Sequence, residues 1–400
     1  MAVKVSERKV MRIAFIVQRY GLDIGGGAEL HCQLVAEHLA KYYGVEVLTT
    51  CARDYITWRN AYDEGEETIN GVLVRRFKVA EERSPRAFGR LSRRVFKLFH
   101  TRRGELKWLR LQGPFAPDLL NFLARHEARY DLFIFFSYRY WLSYHGIMQF
   151  PQKSLLVPTA EHDPTIYLKI FKPFFHKPRA IIYNSIEERE LINRVSSNQA
   201  IPGDVVGVGV NLPVRYDPEG FRKRYNISEE YVIYIGRIDP NKGCGELFEY
   251  MVEYYARHPS LAVKLVLIGR AVMPVPQHEK IIHLGYLSEE DKFAALAGAQ
   301  FMIMPSRYES LSMVVIEAWL VSKAILVNGQ CEVLKGQCLR SEGGLYYHNY
   351  QEFESCMNYM LQNPSILKEF GRRGNAYAVD NYHWSVVEKK YIDLIKTLSG

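Results

Sequence analysis

Short runs of β-branched and aromatic residues alternate with stretches of helical periodicity over the first half of the chain. These runs predict strands over residues 12–18, 45–49, 131–136, 154–157 and 180–183. A turn at Gly25, Gly26 and Gly27 follows the first strand, and a helical pattern covers residues 28–41. Because strands that alternate with helices favour a parallel sheet with helices on both faces, this half is predicted to be one α/β domain.

The same alternation restarts after residues 202–213, a segment marked by glycine and proline. Strands are predicted over residues 231–236, 263–268, 301–304 and 324–327, and helices over residues 245–256, 289–297 and 312–321. The chain is therefore expected to form two doubly wound, Rossmann-like α/β domains in series, residues 1–205 and 206–382. Residues 383–400 are predicted to form a last helix that can return to the first domain.

The composition is that of a globular enzyme, with 48% hydrophobic and 24% charged residues. These fractions exclude disordered, collagen-like and low-complexity chains. The apolar runs are shorter than the ~18 residues that a membrane-spanning helix needs, and the first ten residues lack the apolar core of a signal peptide. Six cysteines without a Cys-x-x-Cys pair favour free thiols in a reducing compartment. A cytoplasmic protein is expected.

The net charge of +8 comes from one segment, because residues 83–110 hold ten basic residues and a single acidic one, Glu105. Apolar residues recur at helical spacing among these arginines and lysines, namely Phe88, Leu91, Val95, Leu98 and Phe99. A basic amphipathic segment of this kind favours peripheral binding to an anionic membrane surface. The alternative is a solvated helix whose apolar stripe faces the core.

The first glycine turn is a weak indication of a ligand site. Gly25, Gly26 and Gly27 would let the backbone approach a phosphate or a substrate, because no Cβ intervenes. A dinucleotide-binding fingerprint would require a third glycine where Leu30 stands, so the dehydrogenase interpretation loses its main support. The alternative is a tight turn that needs a positive φ.

A second glycine turn carries charge. Gly236 and Arg237 follow a predicted strand, and Lys242 and Gly243 come five residues later. A guanidinium and an ammonium at a strand end can converge on a diphosphate, the first through its planar fork and the second as a point charge. The alternative is a surface loop in which both side chains are simply solvated.

The third site holds two carboxylates at a spacing of eight. Glu309 lies in the loop after a predicted strand, and Glu317 lies inside the following helix. The unpaired amides near Ser312, Met313 and Val314 would lie between them at the positive end of that helix. Carboxylates beside an anion site are suited to accept hydrogen bonds from sugar or ribose hydroxyls. The alternative assigns Glu309 to a helix cap and Glu317 to a solvated helix face.

Together these motifs resemble the retaining GT-B glycosyltransferases of the family-four type over about residues 11–390. The resemblance implies a GT-B fold, with the two domains facing across a cleft. It also implies that Arg237 and Lys242 hold the donor diphosphate, that Glu309 contacts the transferred sugar and that Glu317 binds the nucleotide ribose. The donor site would be completed by the residues that align with the rest of the motif: Gly236, Gly269, Arg270, Ser310, Leu311, Ser312, Met313 and Val314.

The same resemblance places His162 near the donor sugar and the Gly25–Gly27 loop at the substrate site. Ser312 is a departure, because many relatives have glycine there. No Asp-x-Asp sequence occurs, so neither a metal nor another cofactor is expected besides the nucleotide-sugar co-substrate. The implied reaction is retaining, same-face transfer to a saccharide or lipid-linked acceptor in surface polysaccharide or glycoconjugate synthesis.

Two other function classes remain open from the sequence. The same fold supports nucleotide-sugar epimerases and sugar phosphorylases, which turn over donor without acceptor or oligosaccharide with free phosphate. A non-catalytic membrane-surface or RNA-binding protein would use the basic segment, with Trp108 and Phe99 for stacking on bases. No recognised RNA-binding module is present, and no nucleic-acid partner is expected.

Overall fold

Hydrophobic strands pair in parallel at the centre of each of two structural units. The computed structural model describes residues 10–98 and 100–399. Its first unit comprises the residues up to Val208 together with those from Glu388, and its second unit comprises Gly209–Val387. The two predicted parallel α/β sheets are confirmed.

The described part of the first unit contains eight strands and seven α-helices that lie wholly within it. The strands are β1 (Arg12–Ile16), β2 (Gly44–Thr50), β3 (Gly65–Ile69), β4 (Val72–Phe77), β5 (Leu132–Phe136), β6 (Ser154–Val157), β7 (Ala180–Tyr183) and β8 (Gly203–Val205). The helices are α1 (Gly27–Leu39), α2 (Pro85–Lys97), α3 (Arg102–Gln112), α4 (Pro117–His126), α5 (Trp141–Gln149), α6 (Phe171–Phe174) and α7 (Ile186–Ser196). The sheet order is β3-β4-β2-β1-β5-β6-β7-β8.

The central strands of this sheet are continuous apolar runs because helices cover both of their faces. Every residue of β5 is buried, as are the last four of β1. The edge is different: β3 pairs with β4 in antiparallel fashion, which departs from the wholly parallel sheet predicted. Asn70 and Gly71 connect these strands with φ values of 47° and 82°, the backbone twist that a two-residue hairpin requires.

The described part of the second unit contains six strands. They are β9 (Tyr231–Ile235), β10 (Lys264–Ile268), β11 (Ile281–His283), β12 (Phe301–Met304), β13 (Ala324–Asn328) and β14 (Gly344–Tyr347), in the order β11-β10-β9-β12-β13-β14. The helices are α8 (Pro218–Arg224), α9 (Cys244–Arg257), α10 (Glu289–Gly298), α11 (Met313–Leu320), α12 (Glu332–Ser341), α13 (Tyr350–Gln362) and α14 (Pro364–Tyr382). All pairings in this sheet are parallel, so the loops that follow β9, β10 and β12 leave one edge.

The basic segment folds as the helices α2 and α3, and its apolar stripe faces the core of the first unit. Val95 is buried, and Phe88 and Leu91 pack against the core cluster. The alternative of a core-facing stripe therefore describes α2, while Leu98 is exposed and Phe99 lies outside the described residues. Trp108 is 3% exposed and donates a hydrogen bond to Ser92, so it is not available to stack on bases.

The outer side of these helices is strongly positive. Arg83 is not part of it, because its guanidinium donates to the backbone carbonyls of Ile56 and Gln112. Arg110 pairs with Glu81. We call the remaining exposed cations the α2–α3 basic face: Arg86, Arg90, Arg93, Arg94, Lys97, Arg102, Arg103 and Lys107.

A last helix, α15 (Trp384–Ser399), packs through its second part on α1 of the first unit. Glu388 accepts hydrogen bonds from Lys41 and from the hydroxyl of Tyr42. Tyr391 is buried, and its hydroxyl lies 3.4 Å from Nε2 of His31. His31 also meets the ring of Phe136 edge to face at 5.3 Å. The contact between α1, α15 and β5 is thus formed around one buried imidazole.

Burial lowers the pKa of His31 to about 3, so the folded protein holds it neutral where the unfolded chain protonates it at about 6.5. Its contribution to stability is complete above pH 6.5 and is lost as the pH falls towards 3. We expect the free energy of unfolding to fall by up to about 1.4 kcal/mol per pH unit from this group. His31→Gln should show a shallower fall in denaturant titrations between pH 7 and pH 4. Parallel curves of unfolding free energy against pH for His31→Gln and the wild type would contradict this expectation.

Candidate active site

The loop after β9 is shaped by two glycines and a tyrosine. Gly236 has a φ of +148°, and the hydroxyl of Tyr234 donates to the carbonyl of Arg237 at 2.8 Å. Asp239 then accepts from the amide of Asn241 and holds a short 3₁₀ turn over Pro240–Lys242. The same carboxylate pairs with Nε of Arg237 at 2.9 Å. The predicted diphosphate ligands Arg237 and Lys242 are therefore carried by one tightly bonded loop.

The loop after β12 is anchored at its base by a polar network. Nδ2 of Asn328 donates to the carbonyl of Pro305 and to Glu246, each at 3.1 Å. Glu246 also pairs with Arg307 at 2.6 Å. These bonds hold the start of the loop that carries Glu309, Ser310 and Leu311, the last of which is buried.

Lys242 and Glu309 join the two loops directly. Nζ of Lys242 donates to Oε1 of Glu309 at 2.8 Å, and the two side chains are 31% and 10% exposed. The contact depends on Gly243, which has a φ of +74° and lies so close to the neighbouring loop that a Cβ would be 2.1 Å from the carbonyl oxygen of Pro305. Parallel pairing of β9 with β12 brings these loops to the same edge, as expected.

Glu317 is buried in α11 rather than solvated on a helix face. Its Oε1 pairs with Nζ of Lys292 at 3.0 Å, and Lys292 also pairs with Glu289 at 2.7 Å. Burial raises the pKa of Glu317, and the charge of Lys292 opposes this shift. Sequence reasoning missed Lys292, because nothing in the helical pattern of residues 289–297 indicates a partner 25 residues further along the chain.

Two buried polar atoms have no hydrogen-bond partner among the described residues: Oγ of Ser312, just before α11, and Oε2 of Glu317, inside that helix. Ser312 has φ 71° and ψ 85°, a left-handed conformation that glycine adopts without cost. This backbone geometry would suit the glycine that the resemblance implies for this position. Met313 and Val314 form the first turn of α11 and are half-buried, so the predicted anion-binding amides lie at a helix start.

The loop after β10 approaches the loop after β9 through glycine contacts. A Cβ on Gly269 would lie 2.0 Å from the carbonyl oxygen of Gly236. Ile238 pairs with Ala271 beyond the strand ends, and its amide donates to the carbonyl of Arg270. The side chain of Arg270 is exposed. Gly236, Gly269 and Arg270 are thus brought to the same edge as Lys242 and Glu309.

In the first unit, the glycine turn before α1 is exposed and does not use a positive φ. Gly26 has a φ of 168°, which is extended backbone, so the alternative of a left-handed turn is wrong there. A Cβ on Gly26 would instead lie 2.3 Å from Oε2 of Glu29, so a side chain there would displace that carboxylate. Glu29 pairs with Arg19 at 2.6 Å in a buried contact that sequence reasoning did not predict. Gly25 and Gly27 flank Gly26 and are exposed.

His162 is exposed in the loop after β6, and the backbone around it is firmly held. Arg139 pairs with Glu161 at 3.3 Å and with Asp163 at 3.1 Å. The amide of Ala160 donates to Glu188, a fully buried carboxylate whose pKa burial raises to about 8. The imidazole of His162 is therefore displayed on a fixed loop of the first unit.

The second unit thus gathers the predicted donor-site residues at one sheet edge, with Lys242 and Glu309 in direct contact. Glu317 contacts Lys292, and Arg237 contacts Asp239. Gly25–Gly27 and His162 belong to the first unit. Within the described ranges, no group of three His, Cys, Asp or Glu side chains is arranged to hold a metal ion. The metal-independent reaction stays a prediction.

Residues 229–363 match the family described as Glycosyl transferases group 1. This segment includes Gly236, Arg237, Lys242, Glu309 and Glu317. A curated relative is MMP alpha-(1->4)-mannosyltransferase of Mycolicibacterium hassiacum, which is 25% identical over 192 residues. That alignment covers 44% of this chain and 45% of the mannosyltransferase, so the match spans less than half of either protein.

Solved structures match over nearly the whole chain. Sucrose-phosphate synthase from Thermosynechococcus elongatus has a TM-score of 0.73 at 20% identity, and the match covers 97% of this chain and 99% of the synthase chain. Anabaena HepE in complex with UDP-glucose has a TM-score of 0.70 at 14% identity and covers 97% and 100%. WaaG, a glycosyltransferase involved in lipopolysaccharide biosynthesis, has a TM-score of 0.64 at 11% identity and covers 94% and 98%. This likeness confirms the predicted GT-B fold.

Gly243→Ala should separate the two loops, because its Cβ cannot coexist with the carbonyl of Pro305. Gly285→Ala is the matched control: Gly285 has a φ of +72°, but a Cβ at this position would have no other atom within 4 Å. The control should lose about 1–2 kcal/mol of unfolding free energy from backbone strain. Gly243→Ala should lose about 1–3 kcal/mol more from the steric overlap. Equal losses in chemical denaturation would show that the loops do not depend on this contact.

Proposed function

We propose that this protein, whose residues 229–363 match the family described as Glycosyl transferases group 1, moves a sugar from a nucleotide-sugar donor to a hydroxyl acceptor with retention of anomeric configuration. The observation that carries the proposal is the Lys242–Glu309 contact beside the N-terminus of α11. A cation, a carboxylate and unpaired helix amides at one edge suit a ligand that combines phosphate with hydroxyl groups.

In this proposal the second unit binds the donor. Arg237 and Lys242 neutralise the diphosphate together with the amides of Met313 and Val314, and Gly236, Gly269 and Arg270 line the nucleotide pocket. Glu309 accepts hydrogen bonds from the transferred sugar, and Glu317 accepts one from the ribose. The neighbouring structure of HepE holds UDP-glucose, which supports a nucleoside-diphosphate sugar as the donor class.

The proposed chemistry is same-face substitution at the anomeric carbon. The bond from that carbon to the diphosphate oxygen breaks, and the acceptor oxygen forms the new bond on the same face. The acceptor proton passes to the departing diphosphate. Lys242 and Arg237 stabilise the negative charge that develops there, because cations already fixed in a site act without reorganisation. In this proposal the first unit, to which His162 belongs, binds the acceptor.

The α2–α3 basic face supports an acceptor held at an anionic membrane surface. Its eight cations are exposed, and none is ion-paired with another described residue. Since the apolar stripe of α2 is covered by the core, we propose that this face docks by charge rather than by insertion. In this proposal the enzyme acts on the cytoplasmic side of a membrane, and its acceptor is a lipid-linked saccharide. Its six cysteines are free, as a reducing compartment would keep them.

Within residues 10–98 and 100–399, no helical stretch combines the length and the hydropathy of a bilayer-spanning segment.

Glu309→Gln and Lys242→Ala should each lower the rate of sugar transfer by about 100-fold or more, because each removes a charge from the reacting groups. The assay combines purified protein, a panel of nucleotide sugars and a lipid-linked saccharide acceptor. Glu253→Gln is the control, since Glu253 pairs with Arg257 on an exposed part of α9. Wild-type rates in both site variants, with every donor that the enzyme uses, would refute the assignment. Turnover of donor without acceptor would favour an epimerase.

Replacing Arg90, Arg93 and Arg94 by Gln should weaken binding to anionic vesicles by about 1 kcal/mol per residue. Flotation with phosphatidylcholine vesicles, with and without phosphatidylglycerol, measures this. The matched control replaces three exposed cations of α14, Lys368, Arg372 and Arg373, and should bind as wild type. Equal flotation with and without phosphatidylglycerol would refute charge-driven docking.

A further inference from the structure

The two oxygens of Glu317 have different surroundings. Oε1 lies 3.0 Å from Nζ of Lys292, whereas Oε2 is buried without a hydrogen-bond partner among the described residues. The Glu317 side chain is 6% exposed, so ordinary solvation of Oε2 is restricted. Buried polar atoms in folded proteins are nearly always hydrogen-bonded. The orphaned carboxylate oxygen at this candidate ligand site is thus able to accept a hydrogen bond from a donor group that a ligand brings.

Lys292 is in turn held in place from its own helix. It pairs with Glu289, one turn earlier on α10, at 2.7 Å, and its side chain is 13% exposed. Its ammonium is thus engaged by two carboxylates, one exposed and one buried. A lysine with both of these partners is suited to orient Glu317 rather than to approach the donor diphosphate.

We propose that Lys292 is a positioning residue for the nucleotide: it holds Oε1 of Glu317 and keeps the carboxylate charged, so that Oε2 accepts a hydrogen bond from a ribose hydroxyl. This inference rests on the proposed function, in which Glu317 contacts the ribose, and it adds the residue that makes that contact possible. A charged acceptor forms a shorter and stronger bond with a hydroxyl than a neutral one does.

The charges of Lys292 and Glu317 determine in which direction ribose binding should change with pH. Burial raises the pKa of Glu317, the charge of Lys292 lowers it, and the charge of Glu289 raises it. For Lys292, burial lowers the pKa, but attraction to Glu317 and Glu289 outweighs this and the net shift is upwards. Removing the charge of Lys292 therefore raises the pKa of Glu317 further. Ribose recognition should then be lost at a higher pH than in the wild type as the pH falls.

The experiment compares nucleotides with and without ribose hydroxyls. Isothermal titration calorimetry first identifies which of UDP, GDP and ADP binds the full-length protein. The dissociation constant of that nucleotide is then compared with that of its 2′,3′-dideoxy analogue. The wild type should favour the ribonucleotide by about ten-fold or more, as expected for a charge-assisted hydrogen bond. In Lys292→Met this ratio should approach one, whereas Lys292→Arg should retain part of it.

Two further variants separate positioning from stability. Lys264→Met is the matched control, because Lys264 is also mostly buried and pairs with Glu229 at 2.9 Å. Lys264 is the first residue of β10, at the end of the strand opposite to the loop that follows it in the candidate site. Lys264→Met should keep the wild-type ratio. If Lys292→Met does not fold, Lys292→Gln retains a hydrogen-bond donor without the charge. As the pH is lowered, Lys292→Gln should lose the preference for the ribonucleotide at a higher pH than the wild type does.

Each outcome separates the two proposals. A wild-type ratio well above one that persists in Lys292→Met, or in Lys292→Gln at every pH, would overturn the role of Lys292 and leave the proposed function intact. A ratio near one in the wild type would overturn the contact between Glu317 and ribose. If none of the three nucleotides binds at millimolar concentration, the proposed function fails, and this inference fails with it.

Discussion

The close approach of two loops at the carboxyl edge of the second sheet is the constraint on which the candidate site depends. Parallel pairing of β9 and β12 directs both loops to this edge, and Gly243 lets them touch where a side chain would collide with Pro305. Only then can Lys242 reach Glu309. The charged groups are therefore positioned by backbone packing, which is stiffer than any arrangement of long, solvated side chains.

The charges at this edge compensate one another in the free protein. Lys242 contacts Glu309, Arg237 contacts Asp239, and Glu317 contacts Lys292. Such pairing limits the cost of holding charged groups in partly buried positions. It also leaves two atoms that can form hydrogen bonds with a ligand, because Oε2 of Glu317 and Oγ of Ser312 are buried without hydrogen-bond partners among the described residues. A nucleotide sugar would bring hydroxyl and phosphate groups to these atoms.

The basic segment shows what helical periodicity can and cannot determine. Its helical periodicity correctly indicated an amphipathic helix, and α2 covers Pro85–Lys97. Periodicity identifies an apolar face but not what covers it, and here the core of the first unit does. The hairpin of β3 and β4 was missed for another reason. The Asn70-Gly71 pair is a strong turn signal in the sequence, but the exposed, polar β3 does not resemble a buried strand.

The sequence by itself indicated the alternation of the central strands with helices in each half of the chain and singled out the charged motif residues. Those features depend on local periodicity and on glycines at strand ends, which are properties of neighbouring residues. Only the tertiary structure decided which charges meet, as in the pairing of Lys292 with Glu317, and that Gly26 adopts an extended rather than a left-handed backbone conformation. The reason is physical: burial and contact are set by segments far apart in the chain, and local sequence patterns carry no information about those distances.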